Sequence, residues 1–172
     1  MSERMMNRIT WGLAVAAVIL LIALSGTVSA QDSTDGPFID DGFQLTGEQL
    51  NAARVAAGEV SASLFGGAAY LETLCTMGNR VESHQFPDTL SAVVEQGYFA
   101  PPRLLTAQEY RIAEDYFGGF SWCLSTPRYY VLSQQDVEAH GLPNGDLWFP
   151  YTLPSGTVLA AHFYSTWPEG AK

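Results

Sequence analysis

Basic residues are scarce in this 172-residue chain: eight Lys and Arg stand against 18 Asp and Glu, for a net charge of −10. Arg4 and Arg8 against Glu3 account for +1 in residues 1–30, so the remainder carries −11. Such a surface repels phosphate backbones, and nucleic-acid binding is excluded on that ground. Histidine is scarcer, with three copies at His84, His140 and His162. None has a second His at the i+3 or i+4 position that a helical zinc site uses, and Asp136-Val137-Glu138-Ala139-His140 supplies one imidazole only. Ser121, Ser125 and Ser155 lack a Gly-x-Ser-x-Gly elbow. Gly66-Gly67 and Gly118-Gly119 lack the Lys and spacing of a phosphate loop. Repeats and low-complexity runs are absent as well. These gaps leave no catalytic residues, no metal ligands and no cofactor site to name.

What the chain does have begins with an export segment. Arg4 and Arg8 precede Ile9–Ala30, a stretch without charge whose apolar heart is Leu13–Leu24. Val28-Ser29-Ala30 offers small residues for signal peptidase, with cleavage before Gln31. Retained instead, the stretch is long enough to cross a ~30 Å apolar core as an anchor. Residues 1–30 therefore read as signal peptide or signal anchor, and both readings put the rest outside the cytoplasm. Membrane contact is expected only through residues 9–30, and only if they are kept. Residues 31–45 form an acidic linker with Asp32, Asp35, Asp40 and Asp41 among turn formers, lacking the spacing of a calcium loop.

Two cysteines, Cys75 and Cys123, complete an even count in an exported chain and are expected to pair. Residues 46–172 suit one domain. Thr46 and Gln49 match a capping box, and Leu50, Ala53, Ala57, Val60, Leu64, Ala68, Leu71, Cys75 and Gly78 follow at helical steps. The spacing predicts one helix over 46–79, with Gly66-Gly67 its weak point. Gly58, Ala62 and Gly66 lie four apart on it, a small-residue face suited to close packing against a partner or against the domain's own sheet. A second helix is predicted over 90–96 behind Pro87-Asp88-Thr89, and a third from the Thr106/Glu109 capping box to Tyr116. Strands are predicted at 120–124, 128–133, 147–151 and 157–167, with 134–145 a turn-rich connection. Pro150 assigns its strand to an edge. Helices followed by strands give an α+β fold, a long helix packed on a three- to four-stranded antiparallel sheet.

The segment His84-Gln85-Phe86-Pro87-Asp88-Thr89-Leu90-Ser91-Ala92-Val93-Val94-Glu95-Gln96-Gly97-Tyr98-Phe99-Ala100-Pro101-Pro102 resembles the head domain of type IV pilins and pseudopilins. The similarity covers residues 46–133. It implies a pilin-like fold, a long helix across an antiparallel sheet, and a structural or assembly role. The pilin processing motif is absent, since the apolar segment opens Arg8-Ile9-Thr10-Trp11 and lacks the family's Glu.

The expected function is a non-enzymatic exported interaction protein, an accessory subunit of a membrane-associated or cell-envelope assembly with a protein partner. A carbohydrate- or ligand-binding module is the alternative, using an aromatic surface of Trp148, Tyr151, Tyr164 and Trp167. An enzyme with an unrecognised site is the third reading.

Overall fold

Thr46 opens the first helix as its spacing predicts. Gln49 N–H donates to Thr46 Oγ1 at 3.3 Å and Thr46 N–H to Gln49 Oε1 at 2.9 Å, so two otherwise orphaned donors are satisfied. The computed structural model describes residues 44–98 and 100–169. The export segment 9–30, the cleavage point at Ala30 and linker residues 31–43 lie outside them.

Residues 47–79 form more than one helix. The chain runs as α1 (Gly47–Glu59), a single turn α2 (Ala62–Phe65) and α3 (Gly67–Glu82). The second break falls at the glycine pair, where Gly66 takes φ +87°, a conformation that disfavours any residue with a Cβ. The first, at Val60-Ser61, has a tertiary cause. Val60 adopts extended backbone and buries its side chain against the sheet, while the Ala62 N–H donates to Glu109 at 3.0 Å. A distant carboxylate thus does the work of a local cap.

Small side chains on α1 (Ala52, Ala53, Ala56, Ala57) let α3 approach closely, and Tyr70 O–H donates to Ala53 O at 3.1 Å. α3 is buried on most sides, including Glu72, Thr73, Thr76 and Arg80. Its hydroxyls are satisfied within the fold: Thr73 bonds Ala69 O, and Thr76 bonds Thr73 O and the Tyr98 hydroxyl. α4 (Leu90–Gly97) starts at Thr89, and α5 (Ala107–Phe117) starts at the expected Thr106/Glu109 box.

Three strands follow: β1 (Tyr130–Ser133), β2 (Leu147–Thr152) and β3 (Val158–Tyr164). The sheet is antiparallel in the order β1-β3-β2, so β3 is central and Pro150 sits on an edge strand as expected. The fold is α+β. One sheet face carries Val131, Leu147, Phe149, Ala161 and Phe163 against Val60, Phe65 and Ala69. The other carries Tyr130, Leu132 and Tyr164 against Val137 and Leu142.

Two expectations are corrected here. Residues 120–124 form no strand, because the disulfide described below ties them to a helix instead of a sheet edge. Residues 134–145 are more than a connection: α6 (Gln134–His140) occupies most of them. Ser133 and Asp136 make its capping box and Gly141 at φ +61° closes it, so Asp136 and His140 lie on a helix.

Candidate functional site

One stripe of α3 holds the chain that links helices to sheet. Glu72, Cys75 and Asn79 recur at i, i+3 and i+7, on one face of the helix. Cys75 is bonded to Cys123 with a Cα–Cα distance of 5.7 Å. Asn79 Nδ2 donates to Arg128 O at 2.9 Å, and the neighbouring Arg80 Nε donates to Tyr129 O at 2.5 Å. Glu72 Oε1 accepts from Arg128 Nη1 at 3.2 Å. At the upstream end, Phe120 N–H and Ser121 N–H donate to Asp115 O at the close of α5, at 2.7 and 3.0 Å.

These clips act through backbone atoms, one ion pair and one covalent bond. They leave the apolar side chains of the segment uncommitted. Trp122 is 86% exposed, Phe120 65% and Leu124 53%. Neither Phe120 nor Trp122 stacks on another ring among the described residues. Single exposed apolar residues are ordinary, but three within one five-residue tethered segment concentrate apolar surface facing water.

The electrostatics beneath the segment are incomplete. Burial pushes the Glu72 carboxyl above its ordinary value, and the opposing pull of Arg128 does not cancel it. Arg128 Nε is buried without a hydrogen-bond partner. Such a pair contributes less to stability than its geometry implies, because both charges lose water.

The expected small-residue face is dispersed by the helix breaks. A Cβ on Gly58 would lie 2.5 Å from Pro101 O, so that position is covered by the chain beyond α4. Ala62 is buried, and Gly66 is exposed in the break itself. The three residues do not share a face of one helix.

The four aromatics are likewise not one platform. Trp148 is half exposed and stacks on His162 at 5.6 Å with planes 10° apart. Tyr151 is offset from Trp148 by an odd number of residues along β2 and points to the other sheet face. Tyr164 is buried and its hydroxyl donates to Pro143 O at 2.9 Å, while Trp167 packs edge-on against Tyr130.

His162 is fully buried and both nitrogens are used. Gly145 N–H donates to Nδ1 at 3.3 Å, which leaves the proton on Nε2 to donate to Gln134 Oε1 at 2.7 Å. Burial holds its pKa below the ordinary imidazole value, keeping it neutral. His84 and His140 are exposed. Among the described residues no group of three or more His, Cys, Asp or Glu is placed to hold a metal ion. No described helix is long and apolar enough to cross a membrane.

The exposed segment was open to inference once the disulfide was expected. Within Phe120-Ser121-Trp122-Cys123-Leu124, the one signal against a sheet strand was Cys123, whose expected partner Cys75 lies on a predicted helix. Compared with known proteins, the chain matches no family model, no curated protein and no solved structure.

Proposed function

We propose that the protein is an exported, non-enzymatic interaction domain, an accessory subunit of a cell-envelope assembly, and that residues 120–124 are where a protein partner docks. The exposure of Phe120, Trp122 and Leu124 on a segment held by Cys75–Cys123 carries the reading. A preformed apolar segment binds with little ordering cost, and aromatic side chains supply most of the energy at such contacts. The disulfide accords with an oxidising compartment, and the apolar run at 9–30 supplies the route to it. The resemblance of residues 84–102 to pilin heads favours the same assembly role.

The test is the native mass of the protein extracted from its own cells, compared with a Phe120→Ser, Trp122→Ser, Leu124→Ser triple variant. The wild type is expected in a complex larger than the monomer. The variant is expected as the monomer with its melting transition preserved. Identical complexes for both proteins, or a wild type that is monomeric in its native envelope, would overturn the reading.

A further inference from the structure

Arg80 is a second unsettled arginine, and unlike Arg128 it borders an open cavity. The space has a volume of about 530 Å³ and lies beside the end of β1, between α1, α2 and α6. Val60, Phe65, Val131, Leu142, Ala160 and Ala161 give it apolar walls, and Trp167 and Tyr130 line it as aromatics. Its charged lining is Arg80, Glu59, Asp136 and His140.

The arginine is only 6% exposed. Its guanidinium carbon lies 5.0 Å from the Phe86 ring centre, 4.9 Å from Tyr98 and 5.3 Å from Tyr130, so the aromatic faces hold it by cation–π attraction. Nε is spent on Tyr129 O. Two ion pairs form among the described residues, Arg103–Glu109 and Arg128–Glu72, and Arg80 belongs to neither. Its terminal amino groups therefore have no carboxylate partner there. Gly97 makes the room: a Cβ at that position would fall 1.8 Å from Arg80 Nη1.

The two acids at the cavity are engaged with the fold's own donors. Glu59 Oε1 accepts from Ala100 N–H at 2.8 Å, and Asp136 Oδ2 accepts from Ser133 Oγ and N–H at 2.6 and 3.3 Å. With Glu59 and Asp136 against Arg80 the lining is already net negative, so a second carboxylate on a ligand is strongly disfavoured. A planar fork with unused donors, backed by aromatic rings and opening on an apolar chamber, matches a carboxylate carrying an apolar body.

We propose that this cavity is a binding site for a small monocarboxylic acid with an apolar chain or ring, its carboxylate on Arg80 and its body among Val60, Phe65, Val131 and Ala161. The site is separate from residues 120–124 and does not depend on the docking reading.

Octanoate is the probe, titrated calorimetrically into the wild-type domain beside octan-1-ol and acetate. Octanoate is expected to bind, with octanol and acetate each weaker by at least about tenfold. Amide shifts in the wild-type nuclear resonance spectrum are expected at Arg80, Val60, Val131 and Ala161. Arg80→Gln, checked for an unchanged melting transition, is expected to lower octanoate affinity by at least about tenfold. If that variant does not fold, the wild-type shift map and the octanol comparison decide. Absence of octanoate binding, equal binding of octanol, shifts located elsewhere, or full affinity in folded Arg80→Gln would each overturn the proposal.

Discussion

The two Arg–Glu ion pairs among the described residues are built to different standards. At the corner of α1, α2 and α5, the Glu109 carboxylate accepts from Ala62 N–H, Thr106 N–H and Arg103, whose Nη1 lies at 3.0 Å and whose Nη2 makes a closer contact. Burial raises its pKa, yet the bonds from Arg103, Thr106 and Ala62 outweigh that and hold the carboxyl below its ordinary value. Under the segment 118–129, Glu72 receives one bond from Arg128, its pKa is raised, and Arg128 Nε is left unpaired. The first corner ties three elements together. The second only pins a linking segment whose apolar side chains face water. The larger buried core lies among the helices, and the segment on their flank is fixed in place without being packed.

Removing the disulfide should cost most. Cys75→Ala with Cys123→Ala releases a cross-link spanning 48 residues, about 4 kcal/mol in the chain-entropy model, read as a lower urea midpoint. A change below about 1 kcal/mol would mean that the noncovalent clips from Asn79 and Arg80 hold the segment unaided.

Glu109→Ala comes next, at about 2 kcal/mol, because it strands the buried Ala62 N–H, whereas the partly exposed Arg103 guanidinium regains water. The same contrast has a pH signature of opposite sign at the two corners. Glu109, with its folded pKa lowered, contributes stability that is present above the ordinary value of 4.5 and lost as pH falls through the folded value. Glu72, with its folded pKa raised, contributes stability present below 4.5 and lost as pH rises through the folded value. Urea midpoints taken from acid to neutral pH should therefore flatten on the acid side in Glu109→Gln. In Glu72→Gln the acid loss should remain.

A smaller effect is expected from replacing the weaker pair as a unit. Glu72→Leu with Arg128→Met should stay within about 1 kcal/mol of the wild type, since the lost attraction is offset by restored burial. A loss near that of Glu109→Ala would erase the distinction between the corners.

Helix starts were the most legible part of this fold. Thr46 and Thr106 announce their capping boxes within four residues, and those local bonds form as read. Pro150 declared an edge strand, and the cysteine pair was readable from count and compartment. The break at Val60-Ser61 was hidden because its cap, Glu109, lies 47 residues from the Ala62 N–H it accepts. Alternation in Phe120–Leu124 looked like a half-buried strand, whereas the buried partner of Cys123 is a helix. The cavity beside Arg80 had no local signal at all: Phe86, Tyr98 and Tyr130 meet around the arginine only after α3, α4 and β1 are assembled.

The smallest stability change is expected where the functional change is largest. Serine at Phe120, Trp122 or Leu124 should alter stability by less than about 0.5 kcal/mol each. The most direct measurement places a photoreactive phenylalanine analogue at Trp122 in living cells and, as a control, at Glu95 on the exposed side of α4. Irradiation is expected to yield a discrete cross-linked protein species from position 122 and none from position 95. No adduct at 122, or the same adducts from both positions, would contradict a docking role for the disulfide-held segment.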